Sequence, residues 1–471
     1  MSSTAPELVP VDSPHEVDLY EVRRTIYPRA VHGWFASWRV ALVLLTQAIF
    51  YGMAWLTWNG RQAVLFDLAA RKFYIFGLVF WPQDFIFLTT LLVISALSLF
   101  LFTAIAGRLW CGYACPQTVY TEIFMWIERK VEGDRMARMK LDQQGLSARK
   151  VLTKAAKHGT WVALSLWTGF TFVGYFTPIR TLVSEVVALS LGPWEMFWIL
   201  FYGFATYGNA GWMREQVCIY MCPYARFQSV MFDSDTLVIT YDARRGEPRG
   251  SRSKSADYKA AGLGDCVDCD ICVQVCPTGI DIRQGLQYEC IGCAACIDGC
   301  DQVMDKMGYA RGLIRYSTEN ALRGSYQERD IARHVLRPRT LVYSAILLAI
   351  VAAFFALLYL RVPLKVDVIR DRATLTRETA DGLLENVYRL QIMNTAEQPR
   401  QFAITASGID GLRLVVAQPV TVPAATALTL PVALRIDPAA ATPGSHPVRF
   451  HIEDSTDARI KADEKSVFYV R

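Results

Sequence analysis

Twelve cysteines carry the chemistry this chain can do, and they fall into two kinds of spacing with none left over. Cys266-x-x-Cys269-x-x-Cys272-x-x-x-Cys276-Pro277 is a bacterial ferredoxin run. Cys290-x-x-Cys293-x-x-Cys296-x-x-x-Cys300 repeats it, with Asp301 where a proline often stands. Three closely spaced thiolates cap three corners of a cubane, and the fourth of each run characteristically reaches the other cluster. The spacing therefore assigns Cys266, Cys269, Cys272 and Cys300 to one 4Fe–4S cluster, and Cys290, Cys293, Cys296 and Cys276 to a second. Fully ligated clusters offer no open iron to a substrate, so the segment reads as an electron relay. Structural zinc uses pairs of C-x-x-C across a longer loop, which is not this pattern.

The other four thiols form two C-x-x-x-C-P pairs, Cys111/Cys115 and Cys218/Cys222. Residues four apart share one helical face, so each pair is expected to present two sulfurs to one ligand. Pro116 and Pro223 lack an N–H and should break the helix or start a new one. Soft thiolates select Cu(I) and iron–sulfur centres. Met213 and Met221 are weak candidates for added thioether ligands, since Met at a helix end more often fills space. A copper site, a further iron–sulfur centre and reversible disulfide exchange all remain open on spacing alone, beside inert packing.

Several chemistries are disfavoured. Of the six histidines (His15, His32, His158, His334, His446 and His451) only His158 lies near the edge of an apolar span, so a bis-histidine membrane haem is not expected. No Gly-rich dinucleotide loop is apparent. A net charge of +5, without basic tracts interleaved with aromatics, gives no reason to expect nucleic acid.

These cysteines must be positioned by a largely apolar chain: 52% of its 471 residues are hydrophobic and 20% charged. Five stretches reach the length needed to cross a bilayer, near Trp38–Trp58, Asp84–Ala106, Gly159–Ile179, Trp194–Trp212 and Thr340–Leu360. Arg23, Arg24 and Arg29 precede the first. Arg129, Lys130, Lys154 and Lys157 follow the second, and Arg333, Arg337 and Arg339 precede the fifth. Only Arg180 lies between the third and fourth. The positive-inside rule puts the N-terminus and every cysteine on the cytoplasmic side and the C-terminus outside. The first span lies behind an acidic arm, too far along for a cleaved signal, and reads as a retained anchor. On the reducing side, metal or redox chemistry is expected over structural disulfides.

An internal repeat is also visible. Cys111 and Cys218, like Cys115 and Cys222, are the same distance apart, and each half reads as two spans followed by C-x-x-x-C-P. Two such halves would bring both pairs together. Beyond the fifth span the texture changes to period-two runs, including Tyr388/Leu390/Ile392, Phe402/Ile404, Leu412/Leu414/Val416, Leu428/Leu430/Val432/Leu434 and Val448/Phe450/Ile452. These predict an immunoglobulin-like β-sandwich without the Cys–Trp–Cys signature.

The expected architecture is a multi-domain membrane protein with an α-helical membrane part. It comprises a cytoplasmic N-terminal arm (1–37), a four-span membrane domain (38–230), a cytoplasmic two-cluster ferredoxin segment (231–339), a fifth transmembrane helix (340–360) and a periplasmic Ig-like β-sandwich (361–471). Arg244–Lys259, basic and rich in Gly, Ser and Pro, reads as a solvated linker near anionic headgroups.

The stretches GRLWCGYACPQTVYTEIFMWIERKVEGDR (Gly107–Arg135), REQVCIYMCPYARFQSVMFD (Arg214–Asp233), YDARRGEPRG (Tyr241–Gly250) and GDCVDCDICVQVCPTGIDIRQGLQYECIGCAACIDGCD (Gly264–Asp301) closely resemble the FixG/CcoG/RdxA family of cytochrome oxidase accessory proteins. The resemblance covers nearly the whole chain and departs at no cysteine. It implies a bacterial inner-membrane protein that reduces Cu(II) to Cu(I) for assembly of a copper-containing terminal oxidase. Under it Cys111, Cys115, Cys218 and Cys222 become candidates for handling copper or relaying electrons to it. The oxidase or its copper chaperones become the partners. The electron donor and the oligomeric state, a homodimer included, stay open. Two rivals differ in class: a quinol-oxidising relay feeding a periplasmic reductase, and a non-enzymatic assembly scaffold with structural clusters.

Overall fold

The computed structural model describes residues 25–371, 375–417 and 419–470. Arg23, Arg24, His15 and most of the expected N-terminal arm lie outside these.

Among the described residues three helices are long and apolar enough to span a bilayer: α1 (Trp34–Met53), Pro82–Ala106, whose α-helical part is α2 (Phe85–Ala106), and the C-terminal helix Pro338–Tyr359. Their side chains, such as Leu44, Leu92 and Leu348, are exposed on the protein itself, as lipid-facing residues are. After α2 the chain forms α3 (Leu109–Tyr113), α4 (Pro116–Glu132) and α5 (Arg135–Gln143).

The two other expected spans differ from the prediction. The third falls on α6 (Ala148–Val173), which begins in the basic stretch and ends at Gly174 instead of reaching Ile179, where α7 (Ile179–Val187) starts after Pro178. The fourth falls on α8 (Pro193–Thr206), only 14 residues long, which continues as π-helical turns over Tyr207–Met213. A second π-helical turn, Val217–Met221, precedes α9 (Pro223–Met231).

Between α1 and α2 the chain builds a feature that the sequence reading lacked: a short hairpin and a three-stranded sheet of Val64–Asp67, Lys72–Ile75 and Leu78–Phe80. Its end meets the sandwich, where Val79 and Trp81 pack on Met393. Asp84 takes salt bridges of 2.6 Å from both Arg361 and Lys365. Arg61 pairs with Glu397, which also accepts a hydrogen bond from Trp58 Nε1 at 3.1 Å.

The C-terminal unit is a two-sheet sandwich. One sheet pairs Arg413–Val415, Ala427–Ile436, Leu384–Asn394 and Leu364–Arg370, with Arg377–Glu378 beside it. The other pairs Val420–Val422, Arg400–Ser407, Gly444–Asp454 and Lys461–Val470. The alternating residues do what period two requires: Tyr388, Leu390, Ile392, Phe402, Ile404, Leu434, Phe450 and Ile452 form its buried core.

The cysteine-rich segment is clasped by an antiparallel pair, Val238–Tyr241 with Ile314–Ser317. It sits against the opposite end of α1 from the sandwich. Asp298, on the helix Ala295–Met307, accepts the backbone N–H groups of Ala36 (2.7 Å) and Phe35 (3.3 Å), so a ferredoxin carboxylate caps the first membrane helix. The backbone N–H of Arg29 adds a 2.8 Å bond to the Gln274 carbonyl.

Candidate redox site

The two ferredoxin runs fold alike because each places left-handed residues between its cysteines. Asp268 and Asp270 have φ of 54° and 55°, and the matching Gly292 and Ala294 have 69° and 59°. Such turns curl a short backbone around a common centre, so that thiols two and five residues apart face inward. All twelve thiols are free.

The thiols sort into three groups. Cys300, from the second run, feels the charges of Cys272, Cys266 and Cys269. Cys296 feels the charges of Cys293, Cys290 and Cys276, and then that of Cys272. Cys272, Cys276, Cys290, Cys293 and Cys296 line a cavity with Ile239, Ile280, Ile282 and Ile291. Burial pushes Cys272, Cys290 and Cys300 up to about 12. Thiolates cannot ionise there without a cation, and iron supplies that charge when a cluster is bound. Eight thiols, seven of them buried or half-buried and Cys269 exposed, thus fit the ligand demand of two 4Fe–4S clusters, which would supply one-electron chemistry when bound. The sets differ in access: Cys269 is exposed beside Arg283, which bridges Asp268, Asp270 and Asp281, whereas Cys293 is buried on the membrane side.

The third group consists of the C-x-x-x-C-P thiols. No continuous helix carries either pair, contrary to the expectation of one helical face. Cys111 lies on α3, which stops at Tyr113, and Cys115 is the N-cap of α4 with Pro116 at its first position. Cys218 lies in a π-helical turn and Cys222 caps α9, again ahead of a proline. Proline starts a helix here because its missing N–H is not needed in the first turn. The two halves nevertheless converge: Cys218 feels the charges of Cys115, Cys111 and Cys222. Burial raises Cys111 to about 11 and Cys218 to about 12.

Several residues without a cysteine's obvious signal hold this convergence. Gln117, on the first turn of α4, donates to the carbonyls of Asn209 (2.9 Å) and Arg214 (3.1 Å) in the other half. Glu128 on α4 binds Arg214 (3.0 Å), Arg138 (2.9 Å) and Lys157 (3.6 Å), all largely buried. Burial alone would raise the Glu128 carboxyl, but Arg214, Arg138 and Lys157 hold it below its ordinary value. Arg108 donates to the carbonyls of Tyr288 and Cys290 on the cluster loop and of Ala225 on α9. A small cavity of about 30 Å³ between Cys218 and Cys293 is lined by Arg39, Glu122, Met125, Arg214 and Glu215, among others. Met125 is the methionine there; Met221 is exposed and Met213 half-buried. None of these residues stands in a spacing motif, so only the fold reveals them.

Comparison with known proteins agrees with this architecture. A 4Fe–4S dicluster domain model matches residues 213–319, a 4Fe–4S binding domain model matches 88–132, and the Ig-like fold at the C-terminus of FixG matches 354–471. Nitrogen fixation protein FixG of Rhizobium meliloti (strain 1021) is 41% identical over 430 residues, covering 85% of this chain and 82% of that protein. The chain belongs to the FixG/RdxA family. Protein RdxA of Cereibacter sphaeroides is 40% identical over 403 residues, 84% of this chain and 85% of that one. Ferredoxin-type protein NapH of Haemophilus influenzae is 21% identical over 231 residues, 46% of this chain and 68% of that one. The FixG/RdxA protein described here is a membrane iron–sulfur electron-transfer protein with a C-terminal Ig-like domain and two 4Fe–4S clusters.

Proposed function

We propose that this protein is a cupric reductase of the bacterial inner membrane, passing electrons to Cu(II) so that Cu(I) reaches a copper-containing terminal oxidase. The observation that carries this reading is the order of the thiol groups. Exposed Cys269 belongs to the run whose Cys266 and Cys272 pack with Cys300, Cys290 and Cys296, and Cys296 and Cys293 pack with Cys111 and Cys218, an order that supports electron passage from the aqueous side to the membrane edge.

When bound, the clusters held by the ferredoxin thiols would supply one electron at a time, the one that turns Cu(II) into Cu(I) with no proton required. Cu(I) is the softer ion, which favours sulfur over oxygen and nitrogen donors. Cys111, Cys115, Cys218 and Cys222 form the acceptor end, handling copper or relaying the electron to it. In this reading the N-terminus and ferredoxin segment are cytoplasmic and the chain is multi-pass. The sandwich, at the other end of α1 and α2, is periplasmic and receives the oxidase or its copper chaperones.

The test is a titration of anaerobically purified, dithionite-reduced protein, freed of excess reductant, with Cu(II) and a Cu(I)-specific chelator. Stoichiometric Cu(I) matched by cluster re-oxidation is expected. Clusters that stay reduced with no Cu(I) would exclude copper as acceptor and point to the quinol relay. Cys111→Ala or Cys218→Ala should abolish Cu(I) formation while both ferredoxin clusters keep their absorbance.

A further inference from the structure

We propose that Cys111, Cys115, Cys218 and Cys222 hold a third iron–sulfur cubane, assembled from both halves of the internal repeat and abutting the cluster of Cys293. This deepens the reading above and rests on it in one respect only, the place of the centre in the path to copper.

Four observations converge. Each half contributes two thiols by the same local device, a short helical turn carrying the first cysteine and a proline-started helix capped by the second. The number and type of donors thus match the four thiolates of a 4Fe–4S cluster.

The second observation concerns charge. The N-termini of α4 and α9 both start beside this thiol group, and the backbone N–H groups of Gln117 and Thr118 point to the Cys115 sulfur. Arg108, which donates to the Cys290 and Ala225 carbonyls, places a guanidinium between the ferredoxin loop and α9. Helix N-termini and a guanidinium suit an anionic group, which a cubane with four thiolates is.

Third, the thiol group touches the ferredoxin. Cys111 and Cys218 pack on the wall formed by Val275, Ile291, Cys293 and Ala295. A Cβ at Gly112, next to Cys111, would lie 2.7 Å from the Gly292 carbonyl oxygen and 2.9 Å from Cys293 Cα. Backbone meets backbone at that point. Finally, the 4Fe–4S binding domain match at 88–132 encloses only Cys111 and Cys115, whereas the dicluster match at 213–319 encloses Cys218 and Cys222 with the eight ferredoxin cysteines. Two thiols cannot complete a cubane's ligands, and the pair that the fold supplies is Cys218/Cys222.

Cys276, Cys290, Cys293 and Cys296 would hold the donor and Cys111, Cys115, Cys218 and Cys222 the acceptor, so that the one electron lost by the first and gained by the second could reduce one Cu(II) to Cu(I). The copper is then reduced beside the thiols without being bound by all four of them.

The experiment is iron and acid-labile sulfide per chain in the full-length protein, purified and reconstituted without air. About twelve irons are expected, against about eight for two clusters. Cys111→Ser/Cys222→Ser should fall to about eight and retain the spin-coupled signal of the two ferredoxin clusters. A wild-type count of about eight, with one Cu(I) retained by a protein that loses it in Cys111→Ser/Cys222→Ser, would overturn the proposal. The wild-type count decides even if the variant fails to fold. About twelve irons without Cu(I) formation would sink the copper reading and leave the third centre standing; about eight irons with Cu(I) formation would do the reverse.

Discussion

The ferredoxin segment and the membrane-edge thiol group use the same residue type in opposite ways. In the first, all eight ligands lie within 35 residues, and left-handed turns at Asp268, Asp270, Gly292 and Ala294 aim them. In the second, two short motifs far apart in the chain become one site only when α4 and the π-helical turns after α8 lock together. A local site is built by turn chemistry; a split site is built by whatever fastens its halves. The fasteners are Gln117, Glu128 and Arg214, and they are as important to the site as its sulfurs.

The change that tests the comparison most severely is Cys293→Ala, because the cysteine spacing assigns Cys293 to one cluster and Cys293 also walls the other thiol group. Loss of about four irons per chain is expected, with Cu(I) formation reduced at least about 100-fold. Cys269→Ala removes a ligand at the exposed edge instead. Its iron loss should leave the Cys276, Cys290, Cys293 and Cys296 cluster able to pass electrons when reduced directly. If the two variants proved equally inactive toward copper with dithionite as donor, the two ferredoxin clusters would not differ in position along the path.

Glu128→Ala separates fastening from ligation. It leaves Arg138, Lys157 and Arg214 buried without their shared carboxylate, a loss of about 3–5 kcal/mol for a broken buried ion pair. A lower thermal midpoint in detergent is expected, with Cu(I) formation weakened although every cysteine is present. Glu128→Gln should recover part of the midpoint through its hydrogen bonds but little of the charge pairing. Unchanged copper reduction in Glu128→Ala would show that the halves meet without this tie.

The same contrast explains what could be read beforehand. The two-cluster ferredoxin segment was legible because cysteine spacing is a local property, and the sandwich was legible because Tyr388, Leu390 and Ile392 alternate with the pleat. The helical face expected for Cys111/Cys115 was not observed: Pro116 starts a helix at the second cysteine, so one motif straddles two elements. Likewise α8 is shorter than its apolar stretch, since Tyr207–Met213 takes π-helical turns that hydropathy does not encode. The sheet between α1 and α2 and the Asp84, Arg361 and Lys365 cluster were invisible because their meaning depends on contacts nearly 280 residues apart.

Gly112→Ala addresses the contact between the two sites. The added methyl would meet backbone atoms of Gly292 and Cys293 that have no flexible end to move, so one backbone must shift. About 1–3 kcal/mol of destabilisation is expected from overpacking. The sharper readout is single-turnover kinetics: re-oxidation of the ferredoxin clusters by Cu(II) should slow while the iron content stays at the wild-type value. Equal rates would mean that electrons leave the ferredoxin by another face.

The mildest change, Asp298→Ala, asks how the local site is held against the membrane part at all. Asp298 accepts the N–H groups of Phe35 and Ala36, and helix N-termini lose about 1 kcal/mol when such an acceptor is removed. No thiol moves in this variant, so iron content and dithionite-driven Cu(I) formation should stay near wild type. What should change is local: hydrogen exchange at the first turn of α1 should speed up about fivefold, the equivalent of that free energy. Asp298→Asn keeps an acceptor oxygen and should lie between the two. A large loss of iron in Asp298→Ala would instead show that the cap on α1 and the cluster loop fold as one unit, which would erase the distinction between a site built locally and a site built by its fasteners.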